Sequence, residues 1–158
     1  APDRATSCST RTARPPISCT SSTTISSFIY TGDAFAHVQT LSTLPAGFAE
    51  YSKASAIKFS PDGRRLFGSN RGHDSIAAYD IDPETGRMTL LAISLLTGKS
   101  PRDFEFMPGG RFVLLGHENS NELMSYAYER STGRLFPAHG PFPMHRPVYV
   151  KFGSPRGA

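Results

Sequence analysis

The sequence predicts an all-β fold built from repeated four-stranded units. Short apolar runs alternate with turns, and Gly and Pro occur 14 and 13 times in the 158 residues, as expected where tight turns are frequent. No window carries the roughly 3.6-residue apolar period of an amphipathic helix. From residue 56 onward, one pattern of strands and turns occurs twice. These three observations favour an all-β fold over a helical one.

Two strands are predicted before the regular part of the chain, at Ile25–Tyr30 and Phe35–Leu41, with a turn at Thr31–Asp33 between them. A longer connection follows at Leu44–Ser55. In the first regular unit, short apolar runs bounded by turn residues predict four strands, at Ile57–Phe59, Leu66–Ser69, Ile76–Ile81 and Met88–Ile93.

The same unit returns 47 positions later, so that Phe59 recurs as Phe106 and Tyr79 as Tyr126. A third copy begins at Val148–Phe152. A four-stranded unit with a period of about 40–50 residues is typical of a β-propeller blade. Because propellers hold about 4–8 blades and this chain holds about 2.5–3, the sequence predicts a partial propeller.

Charge and apolar patterns exclude several classes of function. The net charge is +4, but Lys and Arg are scattered, so we predict no nucleic-acid partner. No apolar stretch approaches the roughly 20 residues needed to cross a bilayer, so we predict no membrane partner and a cytoplasmic location. The histidines His37, His139 and His145 lack metal-ligand spacing, and no Gly-rich phosphate loop is present. We therefore predict neither a metal nor a cofactor.

The most unusual stretch is Ser69–Ile76, which reads Ser-Asn-Arg-Gly-His-Asp-Ser-Ile and is predicted to be a polar corner between two strands. A turn needs only Gly, Asn or Asp, so the additional Arg71 and His73 indicate a functional site. The structural alternative is that Arg71 pairs with Asp74 at the surface while His73 hydrogen-bonds the backbone and braces the corner.

This corner and three further strings resemble the lactonase family of seven-bladed β-propellers, which contains 6-phosphogluconolactonase-type enzymes and a fungal carboxy-muconate cyclase. The matching strings are Phe59–Gly63, Ser69–Ile76, Thr97–Phe104 and Pro147–Phe152. The resemblance covers about residues 24–152 and implies the C-terminal part of a seven-bladed propeller. The Ser-Asn-Arg-Gly-His-Asp string is specific, whereas Ser-Pro-Asp-Gly occurs in many propellers.

The resemblance implies hydrolysis of a small sugar-acid lactone by water, without a metal. This chemistry needs a base, a cation or donor at the developing oxyanion, and a group that holds the substrate's phosphate or carboxylate. The candidate catalytic residues are Arg71, as the cation, and His73, as the base. Asn70, Arg102 and Glu118 are the candidate substrate-binding residues. Glu118 occupies the position of Arg71 in the next unit, where the family tends to have Gln-Asp.

Residues 1–23 do not fit the pattern, because they are rich in Ser, Thr, Arg and Pro. The family carries Pro-Arg-His and Asn-Glu-Leu strings there. When this stretch is back-translated with GC-rich codons and read two bases later, it yields Pro-Arg-His, His-Pro-Asp-Gly and His-Glu strings that fit the repeat. We therefore predict a non-native, out-of-frame segment at 1–23 and a partial lactonase-type propeller at 24–158. The alternative is a disordered leader or transit-like peptide.

The family's His and Glu that accompany the arginine would lie in that segment, so we expect this chain to be an inactive fragment of a lactone hydrolase. Open blade edges predict self-association. Two other functions stay open: a non-catalytic propeller that binds a partner on one face, and a muconate-type cyclase or other lactonase with a different acidic substrate.

The coding DNA tests the frame prediction directly. Read two bases out of the present frame across residues 1–23, it is expected to encode the Pro-Arg-His and His-Glu strings and then to join the present frame near Thr24. Sequencing the gene with its upstream flank is the measurement, and a second frame that does not open into that peptide refutes the prediction.

Overall fold

Eleven antiparallel strands in three sheets make up the computed structural model, which describes residues 17–19, 23–30 and 32–153. The first sheet holds β1 (Ile17–Cys19), β2 (Thr24–Tyr30) and β3 (Phe35–Ser42). The second holds β4 (Lys53–Phe59), β5 (Arg65–Arg71), β6 (Ser75–Ile81) and β7 (Met88–Leu95). The third holds β8 (Pro101–Phe106), β9 (Phe112–His117), β10 (Glu122–Tyr128) and β11 (Leu135–Pro143).

The predicted all-β architecture with four-stranded blades is confirmed, and no helix occurs in the described part of the chain. The predicted extent of the polar corner at Ser69–Ile76 is wrong. Ser69 pairs with Ile76 and Asn70 with Ser75 across the ladder, so β5 continues to Arg71 and the turn is confined to residues 72–74. The strand predicted from Ile57 likewise begins earlier, at Lys53, because Lys53 pairs with Arg71.

Neighbouring sheets pack face to face through apolar side chains. Ile25 of β2 is buried in a cluster with Tyr79 of the second sheet. Between the second and third sheets, the ring of Phe67 lies edge-on to those of Phe106 and Tyr128, with centroids 5.1 and 5.3 Å apart. Each such aromatic pair contributes about 0.5–1.5 kcal/mol beyond its buried area. The core is therefore a series of inter-sheet layers, as in adjoining propeller blades.

A left-handed aspartate ties the second sheet to the third. Asp74, at φ 52°, ends the turn between β5 and β6, and its backbone carbonyl accepts the N–H of Leu96 at 2.9 Å. Its carboxylate accepts the N–H of Ser100 at 2.7 Å. Asp and Asn tolerate this backbone region better than most residues do. We call this arrangement, formed by Asp74, Leu96 and Ser100, the Asp74 anchor.

The same arrangement recurs one unit later. Asn121, at φ 55°, accepts the N–H of Met144 through its backbone carbonyl at 2.9 Å. Its side-chain oxygen accepts the N–H of Arg146 at 3.1 Å. In the second and third sheets, the turn after the second strand therefore holds the segment that follows the fourth strand.

The sign of one charged position alternates between successive units, on β4, on β8 and at the start of the third copy. Lys58 of β4 lies 3.5 Å from both Asp103 and Glu105 of β8. Lys151 then lies 3.0 Å from Glu105 on its other side. Lys58, Glu105 and Lys151 each directly precede a phenylalanine, so they hold equivalent positions in successive units. The start of the third copy is thereby docked on β8, where the backbone N–H of Val150 also donates to Asp103 at 2.8 Å.

Of the segment predicted to be out of frame, the structure describes only β1 and Thr23. β1 pairs antiparallel with β2, from Ile17 opposite Ser27 to Cys19 opposite Ile25. The rest of residues 1–23 lies outside the described residues, so the frame assignment stays a prediction. Among the residues described, no helix has the length and apolar character needed to cross a membrane.

Substituting Gly98 tests the packing of the connection between the second and third sheets. A Cβ at Gly98 would lie 2.4 Å from Cγ of the buried His117 ring. Gly98→Ala is therefore expected to lower the free energy of unfolding by about 1–3 kcal/mol, measured by urea denaturation. Gly153→Ala is the control, because a Cβ there meets no atom within 4 Å. Equal stability of both variants and the parent chain would contradict the packing described.

Candidate functional site

An open pocket of about 480 Å³ lies where the β5–β6 turn of the second sheet meets the start of the third. The second sheet contributes the first residue of β4 and the last of β5. The third sheet contributes the segment just before β8 and the segment just after β9. We call it the Arg71 pocket; its lining residues are Tyr51, Lys53, Arg71, Gly72, Asp74, Lys99, Ser100, Glu118 and Asn119.

Arg71 is the last residue of β5 and is half-buried. Its Nε atom is buried and has no hydrogen-bond partner. Lys53, the first residue of β4, is its direct partner in the strand register. Like charges directly opposite each other in a sheet are destabilising. The pocket therefore holds two adjacent cationic side chains, an arrangement suited to binding an anion.

Asp74 lies in the pocket wall and is engaged by several donors. Besides the N–H of Ser100, its carboxylate accepts the N–H of Gly72 at 3.3 Å and lies 3.2 Å from the ammonium of Lys99. Asp74 is also largely buried. Its geometry fits a residue that shapes the pocket rather than one that reacts.

Glu118 follows β9 and faces the pocket from the third sheet. Its carboxylate lies 2.8 Å from the guanidinium of Arg146. The hydrogen bond from Arg146, aided by the positive charges of Arg102 and Arg71, lowers the pKa of Glu118 despite some burial. The carboxylate is therefore ionised at neutral pH, close enough to Arg71 for their charges to interact.

The structure brings together Arg71 and Glu118 among the residues expected to form the site. Asn70 lies elsewhere: its side chain is completely buried, accepts the hydroxyl of Thr43 at 2.6 Å, and donates to the Thr43 carbonyl and to Ser75. Because successive residues of a strand point to opposite faces, Asn70 faces the interior when Arg71 faces the pocket. Asn70 is therefore not placed to contact a ligand in the Arg71 pocket.

His73 and Arg102 also lie outside the pocket lining. Nδ1 of His73 is 2.7 Å from the hydroxyl of Ser75, and its ring packs edge-on against Phe48 at 4.6 Å. These contacts brace the corner, but through the Ser75 hydroxyl and the Phe48 ring and not through the backbone hydrogen bond of the structural alternative. The backbone carbonyl of Arg102 accepts the hydroxyl of Ser55 at 2.8 Å, and the charge of its side chain contributes to the lowered pKa of Glu118.

Five pocket residues lie outside both the predicted corner and the predicted site residues: Tyr51, Lys53, Lys99, Ser100 and Asn119. Lys53 lay in what the sequence suggested was a connection, and only the strand register places it opposite Arg71. Lys99 follows Gly98 within a string that matched the family, so its position was a usable signal. No group of three or more His, Cys, Asp or Glu side chains within the described residues is arranged to hold a metal ion.

Beside the pocket wall, His117 is buried without charge. Its ring is fully inaccessible, Nε2 lies 3.2 Å from the hydroxyl of Tyr126, and Nδ1 has no hydrogen-bond partner. Burial lowers the pKa of His117 to about 4, although the negative charge of Asp74 opposes this effect. His117 occupies the position of Asn70 in the following unit, so both sheets place a polar side chain in the interior here.

Known proteins share this arrangement of sheets. A family model described as "Lactonase, 7-bladed beta-propeller" matches residues 19–152. The chain is 34% identical over 122 residues to 6-phosphogluconolactonase of Bacillus subtilis, covering 77% of this chain and 35% of that protein. It is 33% identical over 122 residues to a probable 6-phosphogluconolactonase of Arthroderma benhamiae, covering 73% and 30%. The chain thus spans about a third of the length of these relatives.

A solved structure agrees with these matches. The periplasmic gluconolactonase of Pseudomonas aeruginosa superimposes with a TM-score of 0.80 at 31% identity, over 85% of this chain and 38% of that one. Solved structures of low sequence identity, such as Sqt1 of Saccharomyces cerevisiae at 11% identity and a TM-score of 0.64, are similar to this chain in fold alone.

The buried His117 predicts a pH dependence of stability. Its pKa is about 4 in the folded chain against about 6.5 when unfolded, so the unfolded state binds more protons between these values. Stability is therefore complete above about pH 6.5 and falls as the pH drops towards 4, by about 3 kcal/mol at most. His117→Asn is expected to flatten this part of the profile, as measured by urea unfolding between pH 4 and 7.

His145→Asn is the matched control, because His145 is exposed and its replacement should leave the slope unchanged. An identical slope in the parent chain and in His117→Asn would show that His117 does not carry this pH dependence.

Proposed function

Because the chain belongs to the lactonase family of seven-bladed β-propellers, we propose that the Arg71 pocket binds a sugar-acid lactone and that the complete propeller hydrolyses it. The observation that carries the proposal is Arg71 itself, which lines the pocket directly opposite the cationic Lys53 and whose Nε atom is buried without a hydrogen-bond partner. The names of the relatives support a gluconolactone or 6-phosphogluconolactone as the substrate.

In the proposed reaction, water attacks the lactone carbonyl and negative charge develops on the carbonyl oxygen. Arg71 donates hydrogen bonds to that oxygen and stabilises the charge. The carbon–oxygen bond of the ring then breaks, and the ring oxygen takes a proton to become a hydroxyl group. The product is an open-chain carboxylate, and one proton is released to solvent.

Glu118 acts in this proposal as the electrostatic partner of Arg71. Its lowered pKa makes it a weak base, because a general base works best when its pKa is close to the operating pH. Its charge acts on Arg71 without an ion pair, since the direct contact of Glu118 is with Arg146. The base that activates water lies outside the residues assigned here, in keeping with the expectation that the family's His and Glu precede Ile25.

Lys53 and Lys99 hold the phosphate of 6-phosphogluconolactone in this proposal. Both line the pocket, and an ammonium group on a flexible stem serves as a point charge for phosphate. Lys99 already contacts Asp74 at 3.2 Å, whereas Lys53 contacts the ring of Tyr51. Lys53 is thus the more available of the two for a ligand.

We further propose that the 158-residue chain does not turn over lactone by itself and that it self-associates through exposed blade faces. Apolar side chains such as Phe136, Phe142 and Tyr149 are 46, 53 and 71% exposed, and exposed apolar faces favour association. A cytoplasmic location stays a prediction.

Replacing Arg71 tests the site. In the complete propeller, with 6-phosphogluconolactone as the substrate, Arg71→Ala is expected to lower kcat/KM about 10²- to 10³-fold, the usual effect of losing one oxyanion donor. The measurement is the rate of acid release above spontaneous hydrolysis. Arg87→Ala is the control and should leave the rate unchanged. Arg87 is exposed and directly precedes β7, and it is the opposite end of β7 that pairs with Ser75 beside the β5–β6 turn.

Unchanged activity of Arg71→Ala would refute the site assignment. A parent propeller that fails to accelerate hydrolysis above the spontaneous rate would refute the proposed reaction.

A further inference from the structure

Tyr51 presents its ring at the rim of the Arg71 pocket. The residue is 73% exposed, and the ammonium of Lys53 lies 5.4 Å from the centre of its ring. A single exposed aromatic residue is ordinary on a protein surface. Here, however, the ring lies beside two cationic side chains in a concave site, where a ligand would meet it.

The backbone that carries Tyr51 is fixed against the end of β5. A Cβ on Gly72 would lie 2.3 Å from the carbonyl oxygen of Tyr51 and 3.1 Å from Cα of Ser52, so only glycine permits this close approach. The hydroxyl of Ser52 also donates to the carbonyl of Arg71 at 3.1 Å. The ring of Tyr51 is therefore attached to backbone that Arg71 and Gly72 hold in place.

The positive charges beside this ring favour the binding of an anion. Lys53 and Arg71 face each other across the strand ladder, which is unfavourable for like charges unless something compensates them. The two pocket carboxylates are engaged elsewhere, Asp74 with Lys99 and Glu118 with Arg146. No ion pair within 4.0 Å includes Lys53 or Arg71 in the described part of the chain.

We infer that Tyr51 is the platform for the sugar ring, so that a cyclic, anionic sugar lies with its ring face on Tyr51, its charged end at Lys53 and its lactone carbonyl at Arg71. The inference rests on the proposed function and deepens it. The C–H face of a sugar ring packs on an aromatic ring, whereas an open chain has no such face to offer. The platform therefore favours the cyclic substrate over the open-chain product and helps the product to leave.

A matched pair of probes isolates the ring. Glucose 6-phosphate is cyclic and glucitol 6-phosphate is open, and both carry the same phosphate without a carboxylate. We expect the 158-residue chain to bind the cyclic probe about five-fold more tightly by titration calorimetry, the size of one aromatic contact. Tyr51→Ala should remove this preference, and Tyr51→Phe should keep it. Phe35→Ala, which removes a similarly exposed ring on β3 (64% exposed), should change neither affinity.

Each other outcome is informative. If Tyr51→Ala weakens both probes equally, or neither, the ring platform is refuted while the anion pocket stands. Inorganic phosphate is the third probe, since it reports on the charges alone. If neither sugar phosphate nor inorganic phosphate binds, the anion pocket is refuted, and with it the inference and a phosphorylated substrate. The hydrolysis assay on the complete propeller tests the proposed reaction separately.

Discussion

The contacts of Asp74 are the constraint on which the site depends. One residue in a left-handed conformation ends the turn of the second sheet, and it holds the connection to the third sheet through both its carbonyl and its carboxylate. The connection is thus brought back to the end of the sheet where Arg71 lies. These bonds hold Lys99 and Ser100 against the β5–β6 turn. The pocket is a consequence of how two blades are joined, and Asn121 shows that the joint is repeated.

Hydrogen-bond donors around Asp74 offset the cost of burying its carboxylate. A charged carboxylate that is 8% exposed is costly to desolvate unless donors surround it. Asp74 has two backbone N–H donors and one ammonium within reach. The repeated position in the third sheet uses the neutral Asn121 instead, and there the neighbouring cation, Arg146, turns to Glu118. The charge of Asp74 therefore does more than hold the chain, because it also keeps Lys99 at the pocket rim.

The sheets were predictable from the sequence because strands and tight turns depend on short-range patterns. Apolar runs, Pro and Gly recur at a fixed distance, and that recurrence is visible without coordinates. The site was only partly predictable. Arg71 stood out because its type is unusual in a turn, but Asn70 and His73 were grouped with it by proximity in the chain. Alternation of side chains along β5 sends Asn70 to the interior, and Lys53 joins Arg71 only through strand register.

The alternation of charge between successive units has a consequence for closure of the propeller ring. Lys58, Glu105 and Lys151 occupy equivalent positions, so the sign changes at each step from one blade to the next. A ring with an even number of members can continue such an alternation all the way round. A seven-membered ring cannot, because an odd cycle always brings two like signs, or a neutral member, side by side. A closed propeller of this family would therefore contain at least one pair of neighbouring blades between which the sign does not alternate. The blades around the axis would then be electrostatically inequivalent.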